Sequence, residues 1–88
     1  MIRYLIQTDY KKLGDFPGED HSWWSGSRAA GGGMTRDPAD IVRLARHYGY
    51  RTKAAACRGL KAEQDNNQWE ASLGHWFPTA HIIEVEVA

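Results

Sequence analysis

The sequence predicts an α+β fold: a small antiparallel sheet, with N- and C-terminal strands paired and a further strand in the Trp-containing middle, covered on one face by two helices. Three observations lead there. Both ends of the chain alternate apolar and polar residues at the period of a pleated strand, and the stretch between them holds two segments with helical spacing. At 88 residues the chain is long enough for one modest core, and a single domain over 1–88 is expected.

At the N-terminus, Ile2, Tyr4 and Ile6 alternate with Arg3, Leu5 and Gln7, a strand over Ile2 to Thr8. At the C-terminus, Ala80 to Val87 places Ile83, Val85 and Val87 on one face and Ile82, Glu84 and Glu86 on the other. Antiparallel pairing with Tyr4 opposite Ile83 sets Ile2 against Val85 on the core face, and Arg3 against Glu84 and Leu5 against Ile82 outside.

Asp9 to Arg36 is too long for a structureless connection in a compact domain, so a strand is expected within it. His21 to Arg28, with Trp23 and Trp24 on opposite faces, is the candidate, reached through the turn-rich Gly14-Asp15-Phe16-Pro17-Gly18; Gly31-Gly32-Gly33 reads as a flexible link. A helix over 38–48 follows. Asp37 can cap it, Pro38 fits its first position, Ile41, Leu44, Ala45 and Tyr48 form its apolar stripe, and Gly49 supplies a left-handed stop. A second helix runs from about Thr52 to Asn66, with Ala55, Ala56, Gly59, Leu60 and Ala62 on a thin face of mostly small residues suited to close approach on a sheet.

Eleven Lys and Arg balance eleven Asp and Glu, so no whole-molecule charge draws the protein to nucleic acid or lets it imitate a polyanion. The one cysteine, Cys57, can form no intrachain disulfide, and no segment has the length of a membrane span or the pattern of a signal peptide; a soluble, unprocessed cytoplasmic protein is expected, with no membrane partner. Four histidines and Cys57 lack the close paired spacing of metal motifs. The triple glycine lacks the Lys-Ser/Thr of a phosphate loop, and nothing local activates Cys57 as a nucleophile. No catalytic residue, cofactor or metal is expected.

Two features point to contacts. Adjacent tryptophans cannot both enter a one-sided core, so one of Trp23 and Trp24 is expected to remain accessible as an interface anchor. Trp69, Trp76 and Phe77, just before the last strand, are expected to enlarge the core. Arg36 to Lys61 holds seven of the eleven basic residues against two acids, and Arg43, Arg46, Arg51, Lys53 and Arg58 are candidate contacts for an acidic protein surface or for phosphate. Leu44 to Thr52 resembles the turn of a helix-turn-helix, so a nucleic-acid-binding module is the alternative reading, although Arg58 falls where that motif packs an apolar residue.

The opening Ile-Arg-Tyr-Leu-Ile-Gln-Thr strand, the Trp-bearing Gly-rich middle, the Gly-Tyr-Arg-Thr-Lys-Ala-Ala-Ala that leads a helix and the closing His-Ile-Ile-Glu-Val-Glu-Val strand together resemble small phage and prophage accessory proteins of the anti-CRISPR type. The resemblance covers the chain in style, without a diagnostic motif, and carries over no site residue. It implies a non-enzymatic inhibitor that binds a host defence complex by protein–protein contact. The balanced charge departs from the acidic, DNA-mimicking members of that type.

Overall fold

The two alternating ends pair along their whole length in a computed structural model, which describes residues 1–15, 17–27, 32–33 and 38–87. Strand β1 (Ile2–Lys12) is central, flanked by β2 (His21–Ser25) on one side and β4 (Trp76–Glu86) on the other, both antiparallel. Gly32 and Gly33, expected as a flexible link, form the two-residue β3 on the outer edge of β2, so the sheet order is β3-β2-β1-β4. Helix α1 (Pro38–Tyr48) and helix α2 (Lys53–Ser72) lie between β3 and β4 in sequence. This is the α+β class the sequence predicts. The cap expected of Asp37, the strand end at Arg28, the link residue Gly31, Phe16 of the turn and Arg36 of the basic segment lie outside the described residues.

The register differs from expectation by one residue. Tyr4 faces Glu84 rather than Ile83, Arg3 faces Val85, Leu5 faces Ile83 and Ile6 faces Ile82. The reason is that β1 is buried on both faces: consecutive Leu5 and Ile6 are each fully buried, although neighbours in a strand point to opposite sides. Leu5 joins Trp24, Ala45, Val85 and Val87 in a core under α1, with Ile41, Val42, Leu44 and Ile83 packed around it. Ile6 points the other way, towards α2, where a methyl group on Gly59 would stand 3.0 Å from its Cδ1. The helices therefore lie on opposite faces of the sheet and not together on one. A one-residue shift exchanges faces, and it lets each face carry its own apolar pairs.

The chain changes faces at Tyr50. Its N–H donates to the Tyr4 carbonyl (2.8 Å) and its carbonyl accepts from the Tyr4 N–H (3.0 Å), on the β1 edge beyond the end of β2. Gly49 is not left-handed, as its place after α1 suggests; it is glycine because a side chain there would meet the Arg3 Cβ at 2.8 Å. Gly26 is needed in the same way, since an added Cβ would lie 2.8 Å from the Tyr48 Cβ and closer still to the Tyr48 carbonyl.

Helix lengths decide what is covered. α2 has 20 residues, about 30 Å of helix, and is capped by Thr52, whose hydroxyl accepts from the Ala55 N–H at 3.1 Å. It reaches Ser72, a turn and a half beyond the expected end at Asn66. α1 has 11 residues, about 16 Å, against 11-residue strands of about 36 Å, so it shelters only the end of its face near Leu5 and Val85. Lys11, Phe77, Thr79 and His81, at the far end, are exposed.

Candidate functional site

The far end of the α2 face holds a cleft of about 380 Å³ lined by Tyr10, His21, Trp23, Glu63, Asn66, Glu70 and Trp76. Strand pairing supplies its floor. Tyr10 and His21 are cross-strand partners and stack with centroids 5.0 Å apart and planes at 15°. Trp76 stands at right angles to both, 4.7 Å from His21 and 6.5 Å from Tyr10. His21 Nδ1 donates to the Glu19 carbonyl (3.0 Å), and Gly18, at φ +135°, lets the hairpin loop lie against the Trp76 ring without a clashing side chain. Trp23 pairs with Thr8 and adds the outer wall.

The roof is polar. Glu63, Asn66 and Glu70 form it, while Glu63, Asn67 and Glu70, at i, i+4 and i+7, continue the stripe of α2 that carries Ala56 and Gly59 onto the sheet. Glu70 accepts from Asn66 Nδ2 (3.0 Å) and hydrogen-bonds the Tyr10 hydroxyl. Burial, with Glu70 close by, pushes the Glu63 carboxyl above its ordinary range. Burial, with Glu70 and Glu63, pushes the Tyr10 hydroxyl up to about 12. Asn67 is only 6% exposed, and neither of its amide atoms has a partner; Thr8 Oγ1 and Ser25 Oγ, which share this layer, are also unpartnered.

On the opposite face a chain of hydrogen bonds runs from Trp24 Nε1 to Gln7 Oε1 (3.2 Å), from Gln7 Nε2 to Asp9 Oδ1 (2.8 Å) and from Ser22 Oγ to the same oxygen (2.5 Å). His81 Nδ1 stands 3.9 Å from Asp9 Oδ2. Burial works upwards on Asp9, but the bonds from Ser22 and Gln7 and the nearby His81 outweigh it and leave the carboxyl below its ordinary value. Serine, aspartate and histidine meet here in an order that makes no nucleophile, because the hydroxyl donates to the carboxylate and the imidazole lies beyond it.

The residues singled out by sequence divide accordingly. Trp24 is buried, 8% exposed, in the α1 core, whereas Trp23 is 38% exposed at the cleft. Arg43 and Arg46 are exposed on α1, with Arg43 3.4 Å from Asp40; Lys53 and Arg58 are exposed on α2, and Arg51 in the crossover before it. Because the two helices pack on the sheet from opposite sides, they do not assemble a helix-turn-helix. Trp69 and Phe77, expected in the core, are 64% and 57% exposed: Trp69 stands two residues past Asn67, round on the solvent side of α2, and Phe77 lies beyond the reach of α1. Tyr10, His21, Glu63, Asn66, Glu70 and Trp76 are a group that the sequence reading does not assemble. The Glu63/Asn67/Glu70 spacing is the sequence signal that marks them, once α2 is carried to its full length.

Among the described residues no three His, Cys, Asp or Glu side chains gather closely enough to hold a metal ion, and no helix is long and apolar enough to cross a membrane. No protein-family model, curated protein or solved structure matches the chain.

Proposed function

We propose that the chain is a non-enzymatic binding protein that acts by protein–protein contact, as an inhibitor of a host defence complex in the bacterial cytoplasm. The contact reading is carried by one observation: towards the end of the molecule where β1, β4 and α2 meet, Leu13, Trp69, Leu73 and Phe77 are each exposed by more than a third. Large apolar side chains left exposed at one end of a small domain mark that end for interaction, and aromatic anchors dominate binding energy. The partner class follows the sequence's resemblance to phage accessory proteins. Nucleic acid is the second reading, favoured by the exposure of Arg43, Arg46, Arg51, Lys53 and Arg58.

The test is plaque formation on a bacterium with active CRISPR interference that expresses the protein, joined to reconstitution of a stoichiometric complex with a purified component of that machinery. Wild type should restore plaques and form the complex. Trp69→Ala combined with Phe77→Ala should lose both by about 30-fold or more while retaining its fold, since two hot-spot aromatics would be gone. No plaques and no complex with wild type would reject the reading.

A further inference from the structure

We propose that the cleft between α2 and the aromatic end of the sheet is a binding site for an organic cation, and that the cation is an arginine side chain presented by a protein partner. The second half rests on the protein-binding reading above; the first half does not.

Three observations carry the site. Glu63 and Glu70 face one cleft from a single side of α2, and among the described residues no Lys, Arg or His forms an ion pair with either. Two half-buried carboxylates repel each other at a cost that a cation would remove. The opposite walls are Trp23, Tyr10 and Trp76, aromatic surfaces of the kind that attract cations. The larger neighbouring hollow of about 770 Å³ under the hairpin loop lacks this imbalance: Lys11 lines it, Asp9 accepts from Ser22 and Gln7, and Asp20 accepts from the Lys12 N–H at 2.7 Å.

The chemistry selects guanidinium. Glu70 already accepts from Tyr10 and Asn66, whereas Glu63 has no hydrogen-bond donor among the described residues, so its two oxygens are open to a planar fork. Guanidinium meets a carboxylate through two parallel bonds while its face lies on an aromatic ring, a combination that a compact ammonium cannot make. Few oxygen ligands and several apolar walls disfavour a bare metal ion.

The experiment follows the indole N–H resonances of the isolated protein during titration with N-acetyl-arginine methylamide. Trp23 and Trp76 should shift saturably, and Trp24, bonded to Gln7 on the other face, should not. The neutral citrulline analogue should produce no saturable shift. Glu63→Gln, which conserves volume, should weaken binding about tenfold or more without lowering the melting temperature, and Glu70→Gln should do the same. No saturable shift with arginine, equal binding of citrulline, or unchanged affinity in both variants would overturn the site. Equal binding by free guanidinium ion, or a partner complex indifferent to Glu63→Gln, would overturn the side-chain source. Loss of the partner complex alone leaves the titration standing, so the two readings fail separately.

Discussion

Trp23 and Trp24 are neighbours whose side chains meet different solvents because a strand turns successive residues to opposite faces. Trp24 enters the core beneath α1 and ties its indole to Gln7. Trp23 lines the cleft and keeps 38% of its surface accessible. Trp24→Ala should therefore cost about 3–5 kcal/mol, the range for emptying an aromatic site in a core, and Trp23→Ala about 1 kcal/mol or less. Urea unfolding of the two variants separates them, and equal losses would mean that both indoles are core. Sequence alternation makes this split legible, but it does not say which indole goes inward. That choice depends on register, and β1 is apolar enough on both sides for two adjacent registers to look equally good.

At the scale of elements, α1 is readable at both ends, with Pro38 opening it and Gly49 following it, whereas α2 is readable only where its stripe is small and apolar. From Glu63 onwards the residues that face the sheet are Glu63, Asn67 and Glu70, and apolar periodicity gives no reason to continue the helix. The place where the pattern stops is the place where the cleft begins, as expected if local consistency has been given up for a site. Tyr10 reports how firmly that end of α2 is docked. Its hydroxyl, held up at about 12 against an ordinary 10.0 by burial and by Glu70 and Glu63, favours the neutral form in the folded protein. The unfolded chain releases its proton first, so the stability tied to neutral Tyr10 is fully present below about pH 10 and is lost as pH rises towards about 12. Tyr50, raised by burial and by Glu63, adds to the same decline. Urea midpoints should be flat up to about pH 10 and then fall, and Tyr10→Phe should reduce the slope; an unchanged slope would place Tyr10 away from α2.

The layering of the whole molecule bears on the basic residues that sequence gathers into one segment. The described part of that segment, 38–61, crosses from one face of the sheet to the other at Tyr50, so the positive charge it carries does not become one patch. Arg43 and Arg46 stand on α1, Arg58 and Lys61 on α2 beyond the sheet, and only Arg51 and Lys53 lie near the crossover. A duplex can lie along one face at a time. Each phosphate neutralised contributes about −0.9 to the slope of log K against log salt, so the four of these cations at most that one side can present set a slope of about −4 or shallower. Fluorescence anisotropy with a short duplex at several salt concentrations measures it. The expected result is weak binding with that shallow slope, and Arg43→Glu with Arg46→Glu should abolish what remains while the protein keeps its melting temperature, because both side chains are exposed. A slope of about −5 or steeper would require cations from both faces. It would mean either that nucleic acid wraps the sheet edge at Tyr50 or that two copies bind together, and it would move the nucleic-acid reading ahead of protein contact.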